Sequence, residues 1–300
     1  MHQETILSRP RKDVRRISTA FALAVLLTLA AVAMAGEFLS RPAKRSIGAP
    51  PPELRAVSVR IPVTPNGFVA GWFAQGNLGA GAVLLLHGVR SDRTQMLGRA
   101  LALQSAGYSV LLIDLPAHGE STGDRITFGV REGAGVEAAL AYLRRELPAD
   151  CIGVIGVSLG AASLVLSRPS PAPDAVVLES MYPTISEAVN DRLQMRLGAW
   201  GARLAPLLLW QLPLRLGVPE EQLRPVEQLP KLRAPILIAS GTNDLHTTWP
   251  ETKRIFAAAA NPKELWSVPG ATHVDLYAFA PAAYEAKIFG FLSRHLRNGG

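Results

Sequence analysis

Ile152-Gly153-Val154-Ile155-Gly156-Val157-Ser158-Leu159-Gly160-Ala161-Ala162-Ser163-Leu164-Val165-Leu166 is the stretch on which the fold turns. Its first six residues are apolar or glycine, the signature of a short strand covered on both faces. From Ala161 onward small and aliphatic residues read as a helix. Between them Gly156-Val157-Ser158-Leu159-Gly160 is a G-x-S-x-G in the strand–turn–helix setting that a nucleophile elbow requires. The elbow forces its serine into strained backbone angles, and glycine on either side lets strand and helix approach. The helix then aims its free N–H groups at negative charge developing beside the serine.

Outward from this point the chain alternates strand and helix. Ala82–Leu86, Tyr108–Leu115, Ala175–Leu178, Pro235–Ala239 and Glu264–Val268 are further short apolar runs. Ala56–Val63 and Phe68–Gln75 read as a leading hairpin turned at Pro65-Asn66-Gly67. Val136, Ala139, Leu140 and Leu143 form one stripe of a helix over 130–146, and Tyr284, Ile288, Phe291 and Leu292 one stripe of a last helix over 281–297. This alternation predicts an α/β fold, a mostly parallel sheet with helices on both faces. Residues 183–230 break the rhythm with Leu193, Met195, Trp200 and Leu207–Trp210, and predict a small helical cap inserted between the sixth and seventh strands. The domain is expected over 56–300.

A serine hydroxyl needs a base, and the chain has six histidines to supply one. His2 lies in the N-terminal segment and His295 in the last helix, while His87 and His118 precede Ser158. In this kind of fold the order is serine, acid, histidine, which leaves His246 and His273. His273, on the loop Pro269-Gly270-Ala271-Thr272 after a strand, is the expected base. Asp244, two residues before His246 and at the carboxyl end of another strand, is the expected acid, with Glu179 as its rival. Asp114 and Asp275 are read as structural. For the oxyanion, the backbone N–H groups of Leu159 and Val89 are the expected donors, with Arg90 the alternative to Val89.

With these residues in view, 82–297 resembles bacterial α/β-hydrolases of the broad group containing serine aminopeptidase-like and BEM46-like proteins. The matching pieces are LLLHG (84–88), DLPAHGES (114–121), GVSLGAA (156–162), ASGTND (239–244) and VPGATH (268–273). The resemblance implies an α/β-hydrolase fold and a Ser158–His273–Asp244 triad, and says little about substrate. The cap departs from it, matching no subfamily motif.

A short basic stretch, Arg9 to Arg16, precedes twenty uncharged residues, Ile17–Gly36. Residues 1–40 are therefore expected to be a signal peptide, cleaved after the Ala33-Met34-Ala35 triplet, or a membrane anchor of about the 20 residues a bilayer needs. Either way the basic flank stays inside and the domain lies outside the cytoplasm. Residues 41–55, rich in proline and charge, read as a linker.

Five basic residues among the first sixteen outnumber Glu4 and Asp13 by three, which leaves the rest of a +7 chain at only +4. Nothing in that balance calls for nucleic acid. With 48% hydrophobic and 18% charged residues the chain is not a disordered one. The single cysteine, Cys151, excludes an internal disulfide and reads as a small buried residue; no metal or cofactor is expected. The function these readings predict is hydrolysis of a carboxylic ester, less readily an amide, through an acyl-serine. Acyl transfer, a cofactor-free haloperoxidase-like activity and a non-catalytic binding protein are the alternatives. A dehalogenase is disfavoured because the elbow carries serine where aspartate would be needed. The Leu- and Trp-rich cap suits a lipid-like acyl group or bilayer contact, and equally a cap core packed on itself. The partners expected are a small-molecule or lipid-like ester and a membrane.

Overall fold

The computed structural model describes residues 10–297 apart from 64 and 66, with side chains from residue 14. Two compact units emerge, 1–39 and 40–300. Among the described residues the first holds a helix, α1 (Pro10–Ser40), in which an 18-residue window within Val14–Ser40 has a mean hydropathy of 2.3 and no buried residue. At 1.5 Å per residue those 27 residues run about 40 Å, enough by length and composition to cross a bilayer core of about 30 Å.

The second unit is built on eight strands: β1 (Val57–Pro62), β2 (Phe68–Ala74), β3 (Ala82–Leu86), β4 (Ser109–Ile113), β5 (Ile152–Val157), β6 (Ala175–Glu179), β7 (Ile236–Gly241) and β8 (Lys263–Val268). Their order across the sheet is β8-β7-β6-β5-β3-β4-β2-β1. β2 pairs antiparallel with β1 and β4, and every other pairing is parallel. The chain is thus an α/β-hydrolase fold, as the alternation of apolar runs predicts. The β1–β2 hairpin pairs Pro62 with Phe68; its expected turn includes Asn66, which lies outside the described residues.

Alternation within the strands sorts the core into two layers. Leu84, Leu86, Leu111, Ile113, Val154 and Val176 face α3 (Val130–Glu146) and α4 (Leu159–Ser167) after α2 (Leu97–Ser105) has crossed to the other side. Val83, Leu85, Val110, Leu112, Ile155 and Val177 face α2 and the C-terminal helices. Burial of both faces is why these strands read as continuous apolar runs.

Between β6 and β7 the cap comprises α5 (Ile185–Leu197), α6 (Ala205–Leu209), α7 (Gln211–Leu216) and α8 (Pro225–Gln228). Ile185, Leu212, Leu216, Val218 and Leu223 make its own small core. Trp200 and Trp210, by contrast, are each 70% exposed, so the cap's aromatic content is not what holds it together. After α9 (Trp249–Ala258), the chain ends in α10 (Leu276–Phe279), α11 (Pro281–Tyr284), a π-helical turn Glu285–Phe289 and α12 (Gly290–Leu296).

Two expectations are corrected. Residues 41–55 are not a free linker. Ala43 and Lys44 pair in parallel with His118 and Gly119, the Ile47 and Gly48 N–H groups donate to Glu120 Oε1 at 3.0 Å, and Leu54 is buried. Proline and charge suggested solvent, but the extended backbone finds partners and Ala43 and Leu54 supply apolar anchors. The compact unit accordingly starts at Ser40. Cys151, for its part, is half-buried at the mouth of β5, because it precedes the covered part of the strand.

Candidate active site

Ser158 stands between β5 and α4 with φ 49° and ψ −106°, a backbone conformation that non-glycine residues rarely adopt. The strain is held from both sides. Its N–H donates to the Glu179 carbonyl at 2.8 Å, and its own carbonyl accepts from Ala162 at 3.0 Å. The flanking glycines are required by contact: a Cβ on Gly156 would lie 2.7 Å from the Ala161 nitrogen, and one on Gly160 2.6 Å from the Leu86 carbonyl oxygen. Ser158 is only 4% exposed.

His273 sits on the loop between β8 and α10, and Asp244 on the loop after β7. The two loops are tied together: Thr242 N–H donates to Val268 O at 3.0 Å, Asn243 N–H to Ala271 O at 2.9 Å, and Gly270 N–H to Thr242 Oγ1 at 2.9 Å. This holds His273 Nδ1 2.8 Å from Asp244 Oδ2, with the carboxylate fully buried and the imidazole partly open. Asp244 Oδ1 accepts from the His246 and Thr247 N–H groups at 2.8 and 3.0 Å. Burial alone would raise the Asp244 pKa, but the His273 hydrogen bond and these N–H donors bring it below the ordinary carboxylate value. An ionised carboxylate only accepts, so Nδ1 carries the proton and Nε2 is left with the lone pair of a base.

Glu179, the rival acid, is engaged elsewhere. Arg99 grips it with Nη2 to Oε2 at 2.7 Å and Nε to Oε1 at 3.2 Å, and Tyr284 donates to Oε1 as well. Arg99 also pairs with Asp275 at 2.8 Å, which secures the segment just after His273. Sequence reasoning missed Arg99. The available signal was a charge on the apolar face of α2, where Arg99, Ala100 and Leu103 are all buried.

Gly88 lies against the elbow, a Cβ built on it falling 3.9 Å from Ser158 Cβ. Its N–H is taken by Gln95 Oε1 at 2.7 Å, so Gly88 itself has no N–H to spare for an oxyanion. His87 anchors the same loop from beneath: Nε2 accepts from Leu115 N–H at 3.0 Å and Nδ1 donates to Gly88 O at 2.7 Å. Full burial pushes its pKa down to about 3, so it is a neutral strut. Asp114 is likewise structural, accepting from the Arg93 and Glu120 N–H groups and pairing with the Arg93 guanidinium.

His246, set aside as a base, turns out to stack on His273 with ring centroids 4.7 Å apart and planes 15° from parallel. Burial, then the neighbouring His273 and Arg192, lower its pKa to about 4.

An eight-stranded sheet of this order, with a strained serine at the β5–α4 turn, defines a hydrolase of the α/β class. Comparison with known proteins agrees. The model of the alpha/beta hydrolase family matches residues 83–287, well over half of the chain, and the chain belongs to that family. An uncharacterised protein of Mycobacterium tuberculosis is 33% identical over 214 residues, spanning 69% of this chain and 68% of its own. YqkD of Bacillus subtilis is 24% identical over 216 residues, 70% of each. Of solved structures, the Pyrococcus furiosus esterase Pf2001 is similar at a TM-score of 0.72 and 21% identity, over 86% of this chain and 98% of that one. A thermophilic esterase from Thermogutta terrifontis follows at 0.59 and 18%, over 79% and 99%.

Proposed function

We propose that the protein is a serine hydrolase that cleaves a carboxylic ester through an acyl-serine intermediate. His273 Nε2 takes the proton as Ser158 Oγ attacks the ester carbon, and the N–H groups of Val89 and Leu159 receive the developing oxyanion. Collapse of the tetrahedral species breaks the ester C–O bond, and the imidazolium returns its proton to the leaving alkoxide. Water, deprotonated in its turn by His273, then releases the acid and restores Ser158. Asp244 keeps the proton on Nδ1 and stabilises the imidazolium.

The observation that carries this reading is the 2.8 Å contact of His273 Nδ1 with a buried, ionised Asp244, on loops tied together beside the sheet. The esterases among the similar structures favour an ester over an amide. The apolar α1 supports membrane attachment or export, with the domain on the outer side.

The test is turnover of p-nitrophenyl esters of graded acyl length by the full chain, paired with labelling by a fluorophosphonate. Ser158→Ala should abolish both while keeping the thermal transition. Unchanged turnover in that variant would sink the mechanism.

A further inference from the structure

The cap turns an apolar face outward. Of the twelve large apolar side chains exposed among the described residues of the domain, six lie between Met195 and Leu214. α6 and α7 meet at Trp210, itself helical at φ −56° and ψ −24°, and carry two apolar stripes. Leu209, Leu212 and Leu216, at i, i+3 and i+7, pack into the cap's own core. Leu207, Trp210 and Leu214 repeat that spacing two residues earlier, about 200° round the helix, and are exposed. A helix on the surface of a globular protein shows one apolar stripe and a polar back. This one is apolar on both sides. We infer that the outer face of the cap docks on an anionic lipid surface, a membrane contact separate from α1. The inference does not depend on the reading of Ser158 as the nucleophile.

The face is larger than one helix. The 3-10 helical turn Gly198–Leu204 folds back on α5 so closely that a Cβ on Gly201 would lie 2.3 Å from the Leu193 carbonyl oxygen. Both that turn and α5 also pack against α6. Met195, Leu197 and Trp200 are thus carried by segments joined to the outer stripe. Leu197, Trp200, Trp210 and Leu214 are each more than half exposed. The Arg203 guanidinium lies 4.0 Å from the centre of the Trp200 ring, which brings a cation and an exposed indole together.

Charge identifies the occupant. From Arg192 to Pro219 the chain holds four arginines and no aspartate or glutamate. Of these, Arg196 and Arg203 are exposed. Indole rings settle where hydrocarbon meets head groups, and an arginine can lay its stem along apolar surface while its charge stays among them. Exposed leucine and tryptophan beside arginine, with no acid, is the composition of segments that lie on anionic bilayers. A second copy of the cap would instead set cations against cations. The N-terminal helix adds an independent reason. By length and composition α1 can cross a bilayer, and the domain begins at Ser40. Insertion of α1 would confine the domain to a lipid surface, where docking is intramolecular and needs little affinity of its own.

The experiment reads indole emission, because α1 contains no tryptophan. The full chain is reconstituted in vesicles of phosphatidylcholine and phosphatidylglycerol, with the phosphatidylcholine brominated in its upper acyl chain. Bromine quenches only the indoles it reaches. Bromolipid should lower the emission, and Trp200→Phe/Trp210→Phe should abolish most of that loss while keeping the thermal transition, since both rings are exposed. Arg196→Gln/Arg203→Gln should weaken docking by about fivefold for each arginine removed, and omitting phosphatidylglycerol should weaken it too. Unquenched emission from the wild-type chain overturns the proposal; a dimer in sedimentation alongside it would assign the face to a second copy. Quenching that survives Trp200→Phe/Trp210→Phe puts another surface on the bilayer and overturns it as well. Quenching indifferent to both lipid charge and the arginine pair overturns the anionic partner. None of these readings involves turnover, so they stand or fall apart from Ser158.

Discussion

Arg99, not His273, is the partner of Glu179, the carboxylate that rivals Asp244 in the chain order. The two acids thus answer to different experiments. Asp244→Asn should keep the fold and lower kcat by about 10⁴-fold, the loss known for a triad aspartate, with KM changed much less. Glu179→Gln should act on stability, since it leaves a guanidinium buried at 1% exposure with only part of its compensation. Breaking a buried pair in this way costs about 3–5 kcal/mol. Denaturant melts and steady-state kinetics on both variants check the division; a crippled Glu179→Gln at full stability beside an active Asp244→Asn would reverse it.

The stack of His246 on His273 predicts a smaller effect. Ring pairs contribute about 0.5–1.5 kcal/mol, so His246→Ala should lower kcat by roughly 3–10-fold through a looser imidazole. His246→Phe should restore most of the loss by restoring a ring. Equal rates in Ala and Phe variants would show that stacking does not position the base.

Acid should destabilise the protein through its buried histidines, opposed by one carboxylate, Asp191, whose pKa burial and then Glu251 raise to about 7. Burial depresses His87 to about 3 and His118 to about 4, against an ordinary value of 6.5. Between pH 6.5 and about 4 the unfolded chain therefore binds up to two protons at these positions that the folded chain refuses, and a third at His246, while Asp191 offsets one of them. Stability is full above pH 6.5 and falls as pH drops, by about 1.4 kcal/mol per pH unit for each histidine. Tm should decline steadily from pH 7 to 5, and His118→Asn should flatten the decline; a level Tm over that range would contradict it.

Placement outside the cytoplasm is checked by a reporter fused after Gly300, expected to be active only on the outer side. Mass spectrometry of the mature N-terminus then separates cleavage after Ala35 from an intact α1. A reporter active only in the cytoplasm would invert the orientation.

The eight strands were legible because they are buried on both faces, which writes them as unbroken apolar runs such as Ile152–Val157. Ser158 was legible because its strain demands Gly156 and Gly160 as neighbours. The pairing of Asp244 with His273 followed from chain order. What escaped was tertiary. The docking of residues 41–55 depends on Glu120 and Gly119, more than sixty residues away, and no local pattern announces it. The stack of His246 and the grip of Arg99 on Glu179 likewise join residues whose spacing carries no period.

Gly160 has a consequence for how such a protein can change. A methyl there would sit 2.6 Å from the Leu86 carbonyl oxygen and 2.8 Å from that of His87, where the oxyanion loop begins. The approach of the Ser158 elbow to the Leu86–Gly88 loop is thus gauged by an absent side chain, against backbone that cannot yield. Variation is then pushed outward from the elbow toward the cap, where a changed residue leaves the gauge unaltered. An engineer seeking new selectivity should randomise the cap and leave the elbow untouched.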